Sequence, residues 1–245
     1  MSGGWQTRIF ASSRELARSA AETLRRRVSD AKREGRRASV ALAGGSTPKT
    51  LYELLARAYT DRIDWEAVEV FFGDERCVPP DDPDSNFHMA HEEWLSRGRI
   101  PPDQVHRMPA DEEDLEAAAM QYEEILRSRL PSSDDGFPIL DLVWLGLGDD
   151  GHTASLFPGT AALEERSACV VAHEVPDIGW RMTLTYPVLD NARCVQFLVA
   201  GEAKSQLATQ AIEESRLLQE EDIVAMPAAR VRPKRGDLEW LLSKR

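Results

Sequence analysis

The stretch Ile139-Leu-Asp-Leu-Val-Trp-Leu-Gly-Leu147 runs into Gly148-Asp149-Asp150-Gly151-His152, and its reading decides the fold. A nearly continuous apolar run ending at a glycine-rich turn is the pattern of a strand buried on both faces. The same grammar occurs upstream, where Ser39-Val40-Ala41-Leu42-Ala43 opens into Gly44-Gly45-Ser46-Thr47-Pro48. Pro48 suits the first position of a helix and Ser46 or Thr47 its cap, which predicts a helix over 49–58. A third strand, 68–72, ends at Gly73-Asp74-Glu75-Arg76.

Working outward, residues 5–10 read as a short strand. Leu16, Ala20, Leu24, Val28 and Ala31 recur at helical spacing between residues 12 and 34. Helices are expected at 85–97, 111–130 and 202–214, and further strands at 105–108, 168–173, 181–185 and 194–200, with a Pro/Asp-rich loop at 79–86. Alternating strands and helices predict an α/β fold: one domain over 1–245, a single doubly wound, mostly parallel Rossmann-like sheet with helices on both faces. Loops at the strand ends then carry function.

Composition narrows the functions. The net charge of −12 argues against a nucleic-acid binder, which needs a basic face. An anionic small molecule stays possible if local donors and aimed cations catch it. No apolar run approaches the length of a membrane span, so no membrane partner is expected. Cys77, Cys169 and Cys194 are odd in number and far apart, which argues against a disulfide framework or a zinc site and for a reducing, cytoplasmic setting.

Two turns carry chemistry. Gly44, Gly45, Ser46 and Thr47 between a strand and a helix let backbone N–H groups approach a phosphate, or simply make a tight capped turn. Gly146-Leu-Gly148-Asp-Asp-Gly151 satisfies the dinucleotide pattern GxGxxG. Asp149 and Asp150 would face a pyrophosphate, and Pro158 would cut the next helix to under about ten residues, so a nucleotide cofactor is rejected. The segment reads better as an acid/base site: Asp150, two residues from His152, can fix its tautomer and leave one ring nitrogen free to accept a proton. Arg76, Arg181 and Lys204 each lie near a predicted strand end, where a parallel sheet would gather them on one edge with His152. His88 and His91, three apart on a predicted helix, lack a third ligand by spacing, so no metal is expected. No GxSxG elbow marks a serine nucleophile.

These segments resemble the 6-phosphogluconolactonases of the pentose phosphate pathway. The likeness rests on Leu-Ala-Gly-Gly-Ser-Thr-Pro (42–48), Phe-Gly-Asp-Glu-Arg-Cys-Val-Pro (72–79), Asp-Ser-Asn-Phe (84–87), the run Gly146 to Gly159, Arg-Met-Thr-Leu-Thr (181–185) and Gly-Glu-Ala-Lys (201–204). The resemblance implies hydrolysis of a small-molecule phosphosugar lactone without metal or organic cofactor. His152 would be the base and Asp150 its orienting partner, with the 44–47 turn, Arg76, Arg181 and Lys204 holding phosphate and polar groups. Glucosamine-6-phosphate deaminases, related in fold, follow their Asp-Gly-His with a glutamate. Here Phe157 stands five residues after His152 and no acid occurs between Thr153 and Gly159, which favours the lactonase. A sugar-phosphate sensor would keep the phosphate turn but would not need Asp150 and His152. The lactonases usually end Trp-x-x-Asp, whereas Trp240-Leu-Leu is followed here by Ser243.

Overall fold

The computed structural model describes residues 4–97, 99–218 and 225–244. The strands are β1 (Trp5–Phe10), β2 (Ala38–Leu42), β3 (Val68–Phe72), β4 (Asp74–Arg76), β5 (Leu142–Leu145), β6 (Val170–Val175), β7 (Gly179–Leu184), β8 (Cys194–Ala200) and β9 (Asp237–Ser243). The helices are α1 (Ser13–Arg33), α2 (Ser46–Ala58), α3 (Asn86–Ala90), α4 (Leu115–Arg129), α5 (Tyr186–Asn191), α6 (Glu202–Leu217) and α7 (Pro227–Arg230).

Six strands form one parallel sheet in the order β1-β9-β8-β5-β2-β3. Every residue of β2, β3 and β5 is buried, and so is all of β8 but its last residue. Strands buried at consecutive positions must be covered on both faces, as the alternation of strand and helix predicts. The edge strand β1 is exposed along most of its length. Its inner neighbour β9 is the last element of the chain, and it carries Trp240, stacked on Phe197 of β8 at 3.9 Å.

A polar cluster is sealed into this sheet. Gln196 of β8, fully buried, accepts from Trp144 Nε1 at 3.0 Å and donates to Glu239 Oε2 at 2.7 Å and Thr23 Oγ1 at 3.0 Å. It ties β5, β8, β9 and α1 together at a fixed register, because each buried polar atom needs its partner.

A second sheet is small and antiparallel, ordered β4-β7-β6. Asp74 pairs with Thr183, and Arg76 with Arg181, which in turn pairs with His173. Side chains two residues apart on a strand share a face. Asp74, Arg76, Arg181, Thr183 and His173 therefore stand on one face of the small sheet.

Several expected boundaries move. The helix expected at 49–58 begins at Ser46: its N-cap is Gly45 at φ 97°, and no side chain caps it. Pro48 thus lies in the first turn rather than at its first position. The helix expected at 85–97 is α3, capped by Ser85, followed by a π-type turn over His91–Leu95. The one expected at 111–130 starts at Leu115, because Asp114 accepts from Ala117 N and caps it. No strand forms at 105–108. Only Val105 bridges to Val70, and the Tyr122 hydroxyl then takes the His106 carbonyl.

Replacing Gln196 with Leu preserves volume but strips a partner from Trp144 Nε1 and from the Glu239 carboxylate. We expect a loss of roughly 3 kcal/mol in unfolding free energy, read by urea denaturation as a lower midpoint at unchanged slope.

Candidate active site

The carboxyl ends of the parallel strands open onto a cleft of about 390 Å³. Gly44, Gly45, Ser46, Thr47, Arg76, His152, Arg181 and Lys204 all line it, as do Asp74, Asn86 and Ser155. Asp150 does not line the cleft and stands behind His152. For the turns at 44–47 and 148–152 and for Lys204 this follows from the topology, because each strand-to-helix loop of a parallel sheet emerges there. Arg76 and Arg181 instead reach the cleft from the antiparallel sheet β4-β7-β6 and not, as expected, from ends of parallel strands.

Asp150 and His152 form a close pair. Asp150 Oδ1 lies 2.5 Å from His152 Nδ1 and also accepts from the His152 backbone N–H at 3.0 Å. A carboxylate only accepts, so Nδ1 carries a proton, and in the neutral ring Nε2 keeps its lone pair. Burial pushes the Asp150 carboxyl up, but the two contacts from His152 outweigh that and hold it below the usual carboxylate value. The imidazole lies over Gly148, where a Cβ would come within 2.1 Å of His152 Cε1 and Nδ1. Its ring stacks on Phe157 at 4.0 Å between centroids and 27° between planes. Gly151, at φ 82°, leaves room for Met226, which a Cβ would meet at 2.4 Å. The Gly151 carbonyl accepts from Ala228 N at 3.0 Å, so α7 braces the loop. No helix begins at the turn around Gly151, so the GxGxxG pattern lacks the helix N-terminus that a dinucleotide requires.

The glycine turn is built the same way. A Cβ on Gly44 would sit 1.9 Å from Asn86 Oδ1. That close approach lets the Asn86 amide donate to the Asp74 carbonyl at 2.9 Å and to Asp74 Oδ1 at 3.3 Å. Ala43 is clipped by Tyr52, whose buried hydroxyl accepts from Ala43 N at 3.1 Å and donates to Ala43 O at 2.7 Å. Ser46 and Thr47 at the start of α2 line the cleft, and with no side-chain cap their backbone N–H groups can donate to an anion. Glu75, buried under the site, accepts from Arg76 N, Asn86 N, Phe87 N and Ser85 Oγ. Burial raises its carboxyl above the usual value despite those bonds.

The cations differ in their surroundings. Arg76 donates to the Asp84 carbonyl at 2.6 Å and Arg181 to the Trp180 carbonyl at 2.8 Å. Neither is ion-paired to a carboxylate of the described residues. Burial, and then the neighbouring Arg76, push Arg181 below the usual arginine value. Two neighbouring guanidinium groups without a direct ion pair can seat an anion, although Asp74 and Asp84 lie near enough to Arg181 to oppose the shift. Lys204, in the first turn of α6, donates to the Leu147 carbonyl at 3.1 Å and lies 3.5 Å from Asp149. That links it to the loop of His152. His88 and His91 lie away from the cleft, and no group of three or more His, Cys, Asp or Glu side chains among the described residues is arranged to hold a metal ion.

Sequence reasoning passed over the roles of Asp74, Asn86 and Ser155. Only Asn86 had a local signal, a Ser-Asn pair opening a helix. The others are joined to the site by pairings distant in the chain.

The chain matches the family model described as glucosamine-6-phosphate isomerases/6-phosphogluconolactonase over residues 11–240. A protein of Nostoc sp. named 6-phosphogluconolactonase is 42% identical over 211 residues, covering 86% of this chain and 83% of that protein. One of Synechocystis sp. with the same name is 41% identical over 218 residues, covering 89% and 87%. A solved structure of 6-phosphogluconolactonase from Trypanosoma brucei superposes with a TM-score of 0.81 at 30% identity, covering 99% of this chain and 97% of that one.

The site predicts that Gly148→Ala displaces the imidazole. A crystal structure of the variant should show the His152 ring turned away from Asp150, while the small sheet keeps its place.

Proposed function

The chain belongs to the glucosamine-6-phosphate isomerase/6-phosphogluconolactonase family, and on that premise we propose that it hydrolyses 6-phospho-D-glucono-1,5-lactone to 6-phospho-D-gluconate in the pentose phosphate pathway. Relatives bearing the lactonase name at 42% and 41% identity support the reaction. The observation that carries the mechanism is the Asp150–His152 pair, whose unprotonated Nε2 belongs to a ring lining a cleft with Arg76 and Arg181.

In this mechanism water attacks the lactone carbonyl while His152 Nε2 takes its proton. Asp150 holds the ring and stabilises the imidazolium that forms. Negative charge grows on the carbonyl oxygen, and backbone N–H groups lining the cleft, or a cation, stabilise it. As the C–O bond of the ring breaks, the imidazolium returns the proton to the departing ring oxygen. Arg76, Arg181, Lys204 and the first turn of α2 hold the phosphate and the polar groups of the substrate, so the carbonyl is presented to the base. Phe157 favours this reading over deamination of an amino sugar phosphate, because its apolar ring lies against His152 where the deaminases place an acid.

The test is hydrolysis of freshly generated 6-phosphogluconolactone against the uncatalysed background. The wild type should accelerate it, and His152→Ala should lower kcat by about 10²–10⁴-fold with little change in KM. Near-full activity in His152→Ala would contradict the mechanism. No acceleration by the wild type would contradict the reaction, and ammonia release from glucosamine 6-phosphate would then be measured.

Arg181→Ala should act in the opposite sense, raising KM well before it lowers kcat. Initial rates over a range of lactone concentrations would show this.

A further inference from the structure

Ser155, buried to 1% exposure, uses each of its polar atoms on a different strand of the small sheet. Its N–H donates to Thr183 Oγ1 of β7 at 3.2 Å, and its hydroxyl donates to Asp74 Oδ2 of β4 at 2.7 Å. Its carbonyl lies 2.8 Å from His173 Nε2 of β6 and accepts from it. A carbonyl only accepts, so Nε2 carries the proton. Burial, with a smaller push from Arg181, keeps His173 below the ordinary histidine value despite the bond to Ser155. Its Nδ1 is buried without a partner among the described residues, so the bond to Ser155 is what fixes the ring.

The three partners stand on the face of the small sheet that also carries Arg76 and Arg181. On the loop side, Ser155 follows Ala154, held at φ 48°, a left-handed conformation that costs a non-glycine residue energy and persists only when neighbours enforce it. The turn closes through Leu156 N to Thr153 O at 2.9 Å, and the next residue, Phe157, is the plate against His152. A single residue thus joins the loop that carries the base to the sheet that carries the two arginines.

We infer that Ser155 is a positioning residue for His152, setting the distance between the base and the substrate groups held by Arg76 and Arg181. The inference rests on the lactonase reading. Ser155→Ala keeps the two backbone ties and removes the hydroxyl's bond to Asp74, and His173→Leu removes the bond to the carbonyl. With either tie gone the loop settles elsewhere while the arginines stay in place. Binding would persist, and the alignment of water, carbonyl and base would be lost.

The experiment compares wild type, Ser155→Ala, His173→Gln and His173→Leu. For each, kcat is measured with fresh 6-phosphogluconolactone and the inhibition constant with the product, 6-phosphogluconate. Because a misplacement of about 1 Å can cost ~100-fold, Ser155→Ala should lower kcat by roughly 10- to 100-fold with an inhibition constant within about 2-fold of wild type. His173→Gln keeps an N–H donor for the Ser155 carbonyl and should stay close to wild type. His173→Leu has none and should lose kcat in the same direction as Ser155→Ala. If Ser155→Ala does not fold, the two His173 variants decide the matter. The inference is overturned if Ser155→Ala turns over as fast as an active wild type, if its product binding fails in step with kcat, or if His173→Gln and His173→Leu behave alike. A wild type without lactonase activity overturns the lactonase reading as well, which separates the two failures.

Discussion

The site depends on one carboxylate oxygen accepting twice from one residue. Asp150 Oδ1 takes both the ring Nδ1 and the backbone N–H of His152, so it fixes where the imidazole is and which nitrogen is free. Most of the neighbouring sequence serves that contact. Gly148 has no side chain because the ring lies where one would be, and Gly151 bends left-handed beneath Met226. Phe157 covers one face of the ring, and α7 holds the loop from outside. As the proposed base, an imidazole held in this way loses little further freedom on reaching the transition state, which is the physical content of preorganisation.

With a net charge of −12, holding the proposed phosphorylated substrate requires positive potential to be concentrated locally. Two features of the cleft can supply it. The parallel sheet supplies the start of α2, entered through Gly45 at positive φ with no side-chain cap, and Lys204 from the first turn of α6. The small antiparallel sheet supplies Arg76 and Arg181 as cross-strand neighbours. Like charges directly opposite one another repel, and an anion placed between them would relieve that repulsion.

The parallel framework was legible because a strand covered on both faces must be apolar throughout. The strand 194–200 was read with the bounds that it has, and the strand ends located the two glycine turns. What escaped has a common cause. β9 carries Asp237 and Glu239, and only the Gln196 partner makes a buried glutamate acceptable there. β4 is three residues long, too short for any periodicity, and it pairs with β7 far along the chain, whereas β6 and β7 form a local hairpin. The reason for Gly44 is Asn86, and the ties of Ser155 reach residues 74, 173 and 183. Such pairings leave no local mark. The residues that line the cleft could therefore be named from sequence, whereas those that hold them in place could not.

The most direct test is the tautomer of His152, read from the nitrogen-15 NMR spectrum of the labelled imidazole in its neutral form. The account predicts a protonated Nδ1 and an unprotonated Nε2, with that state lost in Asp150→Ala. A neutral ring protonated at Nε2 would mean that Asp150 does not orient a base, and the proposed proton transfer from water would be contradicted.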